Sequence, residues 1–186
     1  MSIEAVEDAM LATITTQLGN KLRKVDTLPG PLDVDLLTRL AASSPGAYVS
    51  FLGGRNKKTD KIAMVDGVFA LYVLVNHAGG HRAKQRGAAN VIGAYDILNA
   101  LIPHLNHLDI TDVGVLRFQQ VQNLFKVDLD KKGVMVYAAT FLLPNLVFEF
   151  VDDTVLDDFE TFNADIDMAP ADGTIDITVN ETLPIV

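Results

Sequence analysis

Cysteine is missing from all 186 residues, which removes disulfides, thiolate nucleophiles and every cysteine-based zinc or iron–sulfur site, and makes redox chemistry a poor fit. The first eight residues lack the basic region and apolar core of a signal peptide, and no apolar run approaches the roughly 20 residues that cross a bilayer. Aqueous surroundings without a membrane partner are therefore expected, and a reducing cytoplasm is compatible with them. Internal repeats and low-complexity tracts are missing too. Positive charge is missing from one region only. Residues 151–186 hold ten of the 24 acids and none of the 15 Lys and Arg, a net charge of −10. Residues 1–150 hold the other 14 acids against all 15 cations, a net of +1. A nearly neutral body thus carries an acidic extension. Neither part has the cationic excess from which tight DNA binding draws its affinity.

What is present suffices for one substantial core and is short for two: 49% of the residues are hydrophobic. The expected division is a body over 1–150 and an extension over 151–186. Ile3, Val6, Met10, Ile14 and Leu18 recur at three- and four-residue steps behind Ser2 as N-cap, with Glu4, Glu7 and Asp8 near the start. This predicts a helix over 3–18, stopped by Gly19-Asn20. An extended piece over 22–28 meets Pro29-Gly30-Pro31, and Asp33 then caps a second helix bearing Leu36, Leu37 and Leu40. Runs rich in Val, Phe, Tyr and Leu at 47–52 and 63–76 predict strands, with a basic loop over 53–61 between them. A second basic loop, 77–87, leads into a helix whose face carries Val91, Ile92, Tyr95, Leu98 and Ile102, reaching Leu105 despite Pro103. Residues 113–127 and 134–143 flank a polar turn at 128–133 and predict two long antiparallel strands. In the extension, Val155, Leu156, Phe159 and Phe162 fit one stripe of a short helix. After a turn at 170–173, Ile175, Ile177 and Val179 alternate with polar residues as in a strand. The fold class expected is α+β, an antiparallel sheet packed against two or three helices with an acidic C-terminal extension.

Chemical motifs fail on inspection. Lys58-Thr59 after a strand invites comparison with a phosphate-binding loop, but the required glycines would fall on Leu52 and Lys57, and a strand follows instead of a helix. Asp128, Asp130 and Gly133 match three positions of a calcium loop, whereas Lys132 and Ala139 occupy two others, so a β-turn is the better reading. The pairs His77 with His81 and His104 with His107 flank a long helix, whose rise of 1.5 Å per residue holds them roughly 20 Å or more apart, too far for one zinc site. Asp152-Asp153 and Asp157-Asp158 lie where solvated charge is expected. No catalytic constellation, cofactor or metal site is expected, and the chain does not read as an enzyme.

Several features in order resemble the tail terminator, or tail completion, family of Mu-like phages. They are the helix beginning Ile3-Glu4-Ala5-Val6-Glu7-Asp8-Ala9-Met10, the break Leu28-Pro29-Gly30 and a strand ending in Gly53-Gly54. The helix with Tyr95-Asp96-Ile97-Leu98-Asn99-Ala100-Leu101 and the closing Asp167 and Pro170-Ala171-Asp172-Gly173 complete the series, which spans nearly the whole chain. The resemblance implies a sheet packed on helices that assembles with its own copies into a ring, a hexamer, at the head-proximal end of the tail tube. There the ring would stop tube growth and join the neck. The implied partners are the tail tube protein, the neck or head-completion protein and the tail sheath, with genomic DNA only as passing cargo. The implied location is the tail–neck junction of the virion, after assembly in the bacterial cytoplasm. The family offers no catalytic residues to transfer.

Candidate contacts follow from charge and apolar pattern. Arg55, Lys57, Lys58 and Lys61, with Arg82, Lys84 and Arg86, make two basic loops suited to an acidic partner such as a tube end or a neighbour's extension; solvated loops are the alternative. A closed ring needs head-to-tail contacts between unlike surfaces. Phe159, Phe162, Ile175, Ile177 and Val179 form a candidate C-terminal arm that either joins a neighbour's sheet edge or buries within its own chain. Two other function classes stay open: a neck or head-completion connector, which would bind portal complexes, and a small-molecule enzyme, which would show a pocket with converging polar groups.

Overall fold

The protein is seen in a computed structural model that describes residues 3–28, 34–57, 63–76, 80–87, 92–124, 134–148, 161–166 and 177–182. The apolar spacing of the N-terminus builds α1 (Ile3–Leu18), which buries Val6, Met10, Ile14 and Leu18 on one stripe. The elements β1 (Lys24–Thr27), α2 (Val34–Ala41), β2 (Gly46–Asn56) and β3 (Ala63–Asn76) follow. Next come α3 (Gly80–Arg86), α4 (Ala94–Leu105), β4 (Asp109–Ile110), β5 (Gly114–Val115), β6 (Arg117–Asn123) and β7 (Val134–Phe148). A hairpin of β8 (Thr161–Ile166) and β9 (Ile177–Thr182) completes the described chain. The fold is α+β. It divides into two compact units, Met1–Glu149 and Phe150–Val186.

The first unit centres on a five-stranded sheet in the order β1-β2-β3-β7-β6. Strand β3 pairs antiparallel with β2 on one side and β7 on the other along most of its length, which makes it the middle of the body. Residues opposite one another across a ladder share a face. Val49, Leu71 and Ala139 are aligned on the first face, where α1 and α4 pack, and all three are fully buried. Tyr48, Tyr72 and Ala138, one position along, belong to the second face, with Leu40 and Ala41 of α2 packed against that cluster. Both faces are covered at this end of the sheet, so its strands read as continuous apolar runs with no polar alternation.

Several expectations are corrected. The sheet is mixed, because β1 lies parallel to β2; α2 supplies the crossover that a parallel pair requires. Gly53-Gly54 does not end β2. A bulge after Phe51, with Gly53 at φ 102°, lets the strand run on to Asn56, so the basic loop expected from residue 53 is strand as far as residue 56. The freed amide of Phe51 donates to the Glu7 carboxylate of α1 at 2.8 Å. Within the stretch read as a second basic loop, residues 80–86 form α3.

Helix α4 buries Ala94, Ile97, Leu98, Leu101 and Leu105, whereas Tyr95 is 38% exposed and Ile102 only partly covered. The buried stripe is therefore turned by about one residue from the expected one. Two stripes with helical spacing overlap in this sequence, and only the packing against α1 and β3 selects between them. The strand expected over 113–127 is split: β5 pairs with β4, Leu116 is buried at the break, and β6 pairs with β7. Past Pro144, β7 continues through a second bulge, where Asn145 adopts φ 62°, a value that asparagine tolerates. Phe162 lies in strand β8, not in a helix. The residues proposed as the N-cap Asp33, the turns at 128–133 and 170–173, and Val91, Val155, Leu156 and Phe159 lie outside the described residues.

Candidate functional site

Toward the bulged end of the sheet no helix described in the first unit packs on the second face. There Leu52, Gly53, Gly54, Arg55, Asp66, Val68 and Leu142 line an open groove of about 700 Å³. The bulge produces it. Leu52 is pushed out of the ladder and is 50% exposed. Gly53, opposite Val68, contributes no side chain, and a Cβ placed on it would meet nothing within 4 Å. Glycine is needed there for its positive φ, and its bareness leaves a trough between Leu52 and Arg55. Across β7, Leu142 pairs with Arg117 of β6, which places an exposed arginine on the groove's far rim. Arg55 is exposed on the near rim.

Beside the groove, a polar clasp secures both bulges. Lys57 Nζ lies 2.8 Å from Asp66 Oδ1 and donates to Asn145 Oδ1 at 2.7 Å, while the Asn145 amide donates to Asp66 at 3.1 Å. The Lys57 ammonium holds the Asp66 carboxyl below the usual carboxylate range. Lys57 thus ties β2, β3 and β7 together, and its charge is already engaged.

The other predicted contacts separate. Arg82 and Arg86 are exposed on α3, but Lys84 between them is buried, so that segment is no uniform basic loop. α3 packs on α4 and β7, whereas Arg55 lines the groove on the second face; the two basic sets do not form one patch. Lys58, Lys61, Phe159 and Ile175 lie outside the described residues, while Phe162, Ile177 and Val179 belong to the β8–β9 hairpin. The groove residues Leu52, Val68 and Leu142, and Arg117, were missed. Val68 and Leu142 sit in runs that read as wholly buried strands, and nothing in such a run reports which alternate residues lack a cover.

A second polar arrangement lies on the helical face. Tyr137 of β7 stacks edge-on against Tyr95 of α4, with centroids 5.7 Å apart. Its hydroxyl donates to that of Tyr95 and accepts from the Asn123 amide, each at 3.4 Å. Burial, then the bond to Tyr95, pushes the Tyr137 phenol up to about 12. The unfolded phenol ionises near ~10, so above that pH the unfolded state sheds a proton that the folded state keeps. Stability supplied by Tyr137 is therefore complete below pH ~10 and lost as the pH rises toward about 12. Urea midpoints measured from pH 9 to 12 should fall for the natural protein and fall less steeply for Tyr137→Phe.

Among the described residues, no group of three or more His, Asp or Glu side chains is placed to hold a metal ion. No helix among them is long and apolar enough to cross a membrane. The groove holds one clasped carboxylate and one arginine over apolar walls.

Comparison with known proteins finds a matching family and named relatives. The family described as "Bacteriophage Mu, Gp37" matches residues 2–146. A "Mu-like prophage FluMu protein gp37" of Haemophilus influenzae is 32% identical over 182 residues, covering 95% of this chain and 89% of that protein. The "Probable tail terminator protein" of Escherichia phage Mu is 27% identical over 158 residues, covering 85% of this chain and 82% of that one. Among solved structures, a chain in the virion of a native gene transfer agent particle superposes with a TM-score of 0.47 at 14% identity, over 76% of this chain and 94% of that one.

Proposed function

This chain belongs to the bacteriophage Mu Gp37 family, and from that premise we propose that it is a tail terminator. Copies of it close into a ring, a hexamer, at the head-proximal end of the tail tube, stop tube growth and present the surface to which the neck attaches. The observation that carries this reading is the alignment over 85% of the chain with the phage Mu protein of that name. The role is structural: energy comes from repeated contact between copies and with the tube. The tube protein, the neck protein and the sheath are the partners, and the tail–neck junction of the virion is the place.

Physical features are compatible with this role. A body of net charge +1 lets DNA slide through a lumen without gripping its phosphates. A ring is closed by two unlike surfaces on each copy, and the body over 1–150 with the acidic extension over 151–186 supplies candidates for both.

The test is to add purified protein to tail tube protein that is polymerising, and to measure tube length by electron microscopy. Short tubes with a ring at one end are expected. Tubes of unchanged length sink the reading, and binding to portal complexes in place of tube ends would make the protein a neck connector.

A further inference from the structure

We propose that the β8–β9 hairpin of one copy docks on the open sheet groove of the next copy, closing the ring by sheet-on-sheet packing. The proposal rests on the ring assembly argued above and identifies the two surfaces that form it.

The hairpin has the character such a contact needs. Its register pairs Phe162 with Glu181, Ala164 with Val179 and Ile166 with Ile177. Cross-strand partners share a face, so the positions of one face are Phe162, Ala164, Ile166, Ile177 and Val179, with Glu181 at one end. The alternate positions pair Thr161 with Thr182, Asn163 with Asn180 and Asp165 with Thr178, all of them polar. One face is thus apolar in sequence and the other hydrophilic, the pattern of a sheet that packs on something through one side. A two-stranded hairpin is marginal by itself in water and needs a further strand or a surface to pack on.

The groove matches it in shape and in charge. Its walls come from adjacent strands β2, β3 and β7, and the Arg117 rim from β6. At about 4.8 Å between strands this spans about 14 Å, room for a two-stranded layer. Leu52, Val68 and Leu142 offer the apolar floor. Arg55 and Arg117 stand exposed on opposite rims without an ion pair among the described residues, while Asp66 is neutralised by Lys57. The second unit brings ten acids and no Lys or Arg. An apolar face that ends at Glu181, in a segment whose charged residues are all acids, fits an apolar floor edged with arginines. Groove and hairpin are different surfaces of one chain, so a copy can receive one neighbour and dock on another, and docking repeated in one direction closes a ring.

The cysteine-free sequence makes the test clean. Full-length Leu142→Cys and Val179→Cys are prepared separately, shown to match the natural protein in circular dichroism and melting temperature, then mixed and oxidised. A disulfide-linked dimer that needs both variants is expected, with neither variant linking to itself. The doubly substituted chain should give a ladder of linked copies up to the full ring. A double variant that links only within single chains would overturn the proposal in favour of the hairpin covering its own groove. No linkage in a particle that keeps its ring mass would overturn docking at this groove and leave the tail terminator reading standing. A monomer at every concentration would end both. As a second measurement, Arg55→Glu with Arg117→Glu should raise the concentration at which the ring dissociates by at least tenfold, and an unchanged value would count against the contact.

Discussion

Phe69→Ala is expected to remove about 3–5 kcal/mol of stability, the range for truncating a buried phenylalanine. Phe69 is fully buried near the middle of β3, flanked in register by Phe51 and Phe141. Its ring packs on Phe51 with centroids 5.0 Å apart, and Phe141 packs in turn on Phe118 at 5.8 Å. The cavity left by alanine would be walled by two hydrogen-bonded strands and the helices above them. Such walls collapse poorly, so the loss belongs toward the upper end of that range. Domains of this size are held by roughly 5–15 kcal/mol in total, so the variant should unfold at much lower denaturant. Guanidinium titration of both proteins with an unchanged slope would measure the difference. A loss below about 1 kcal/mol would mean that this ring is not the centre of the core.

The second large effect is expected at Gly93, and for a different reason. Its φ of −90° is one that any residue adopts, so conformational freedom is not why glycine stands there. A Cβ at this position would lie 2.1 Å from the Gly87 nitrogen, 2.6 Å from the Arg86 carbonyl carbon and 2.6 Å from the Gln85 oxygen. All three are backbone atoms at the end of α3, and none can swing aside as a side chain would. Gly93→Ala must therefore separate the end of α3 from the start of α4, at about 2–3 kcal/mol by the usual cost of overpacking. The bond from the Gly93 amide to the Asp96 carboxylate, 3.1 Å long, survives the substitution. The loss would thus report the helix approach and not the cap. Hydrogen exchange should show α3 amides losing protection before those of β3, and equal protection across both would contradict the argument.

How much of this was legible in the chain depends on what each residue pattern encodes. Helix α1 was readable almost to the residue, since one apolar stripe with a helical period admits one packing. Strand β3 was equally clear, because a β-branched and aromatic run from 63 to 76 has no competing period. The rest was hidden where local sequence is ambiguous. Gly53-Gly54 reads as a stop, yet in a ladder the same φ freedom permits a bulge and four more residues of strand. The stripe on α4 was misjudged because Tyr95 and Ile102 offer the same spacing as Ala94, Leu98 and Leu101. The parallel placement of β1 is a long-range outcome of the α2 crossover, which no window of a few residues contains. The groove was the least legible part. Val68 and Leu142 look like core, and what distinguishes them from Phe69 and Phe141 beside them is that α1 and α4 lie over the other face alone.

The position of β3 also determines how the body would bear force. Most of its 14 residues are laddered on both sides, to β2 and to β7, with hydrogen bonds running across the strand axis. A pull along that axis loads the two ladders in parallel, so many bonds must shear together before the strand slips. A pull across the sheet at β6, whose only ladder among the described residues is to β7, opens bonds one after another. The body is thus mechanically anisotropic, stiff along its central strand and easily peeled from its outer edge.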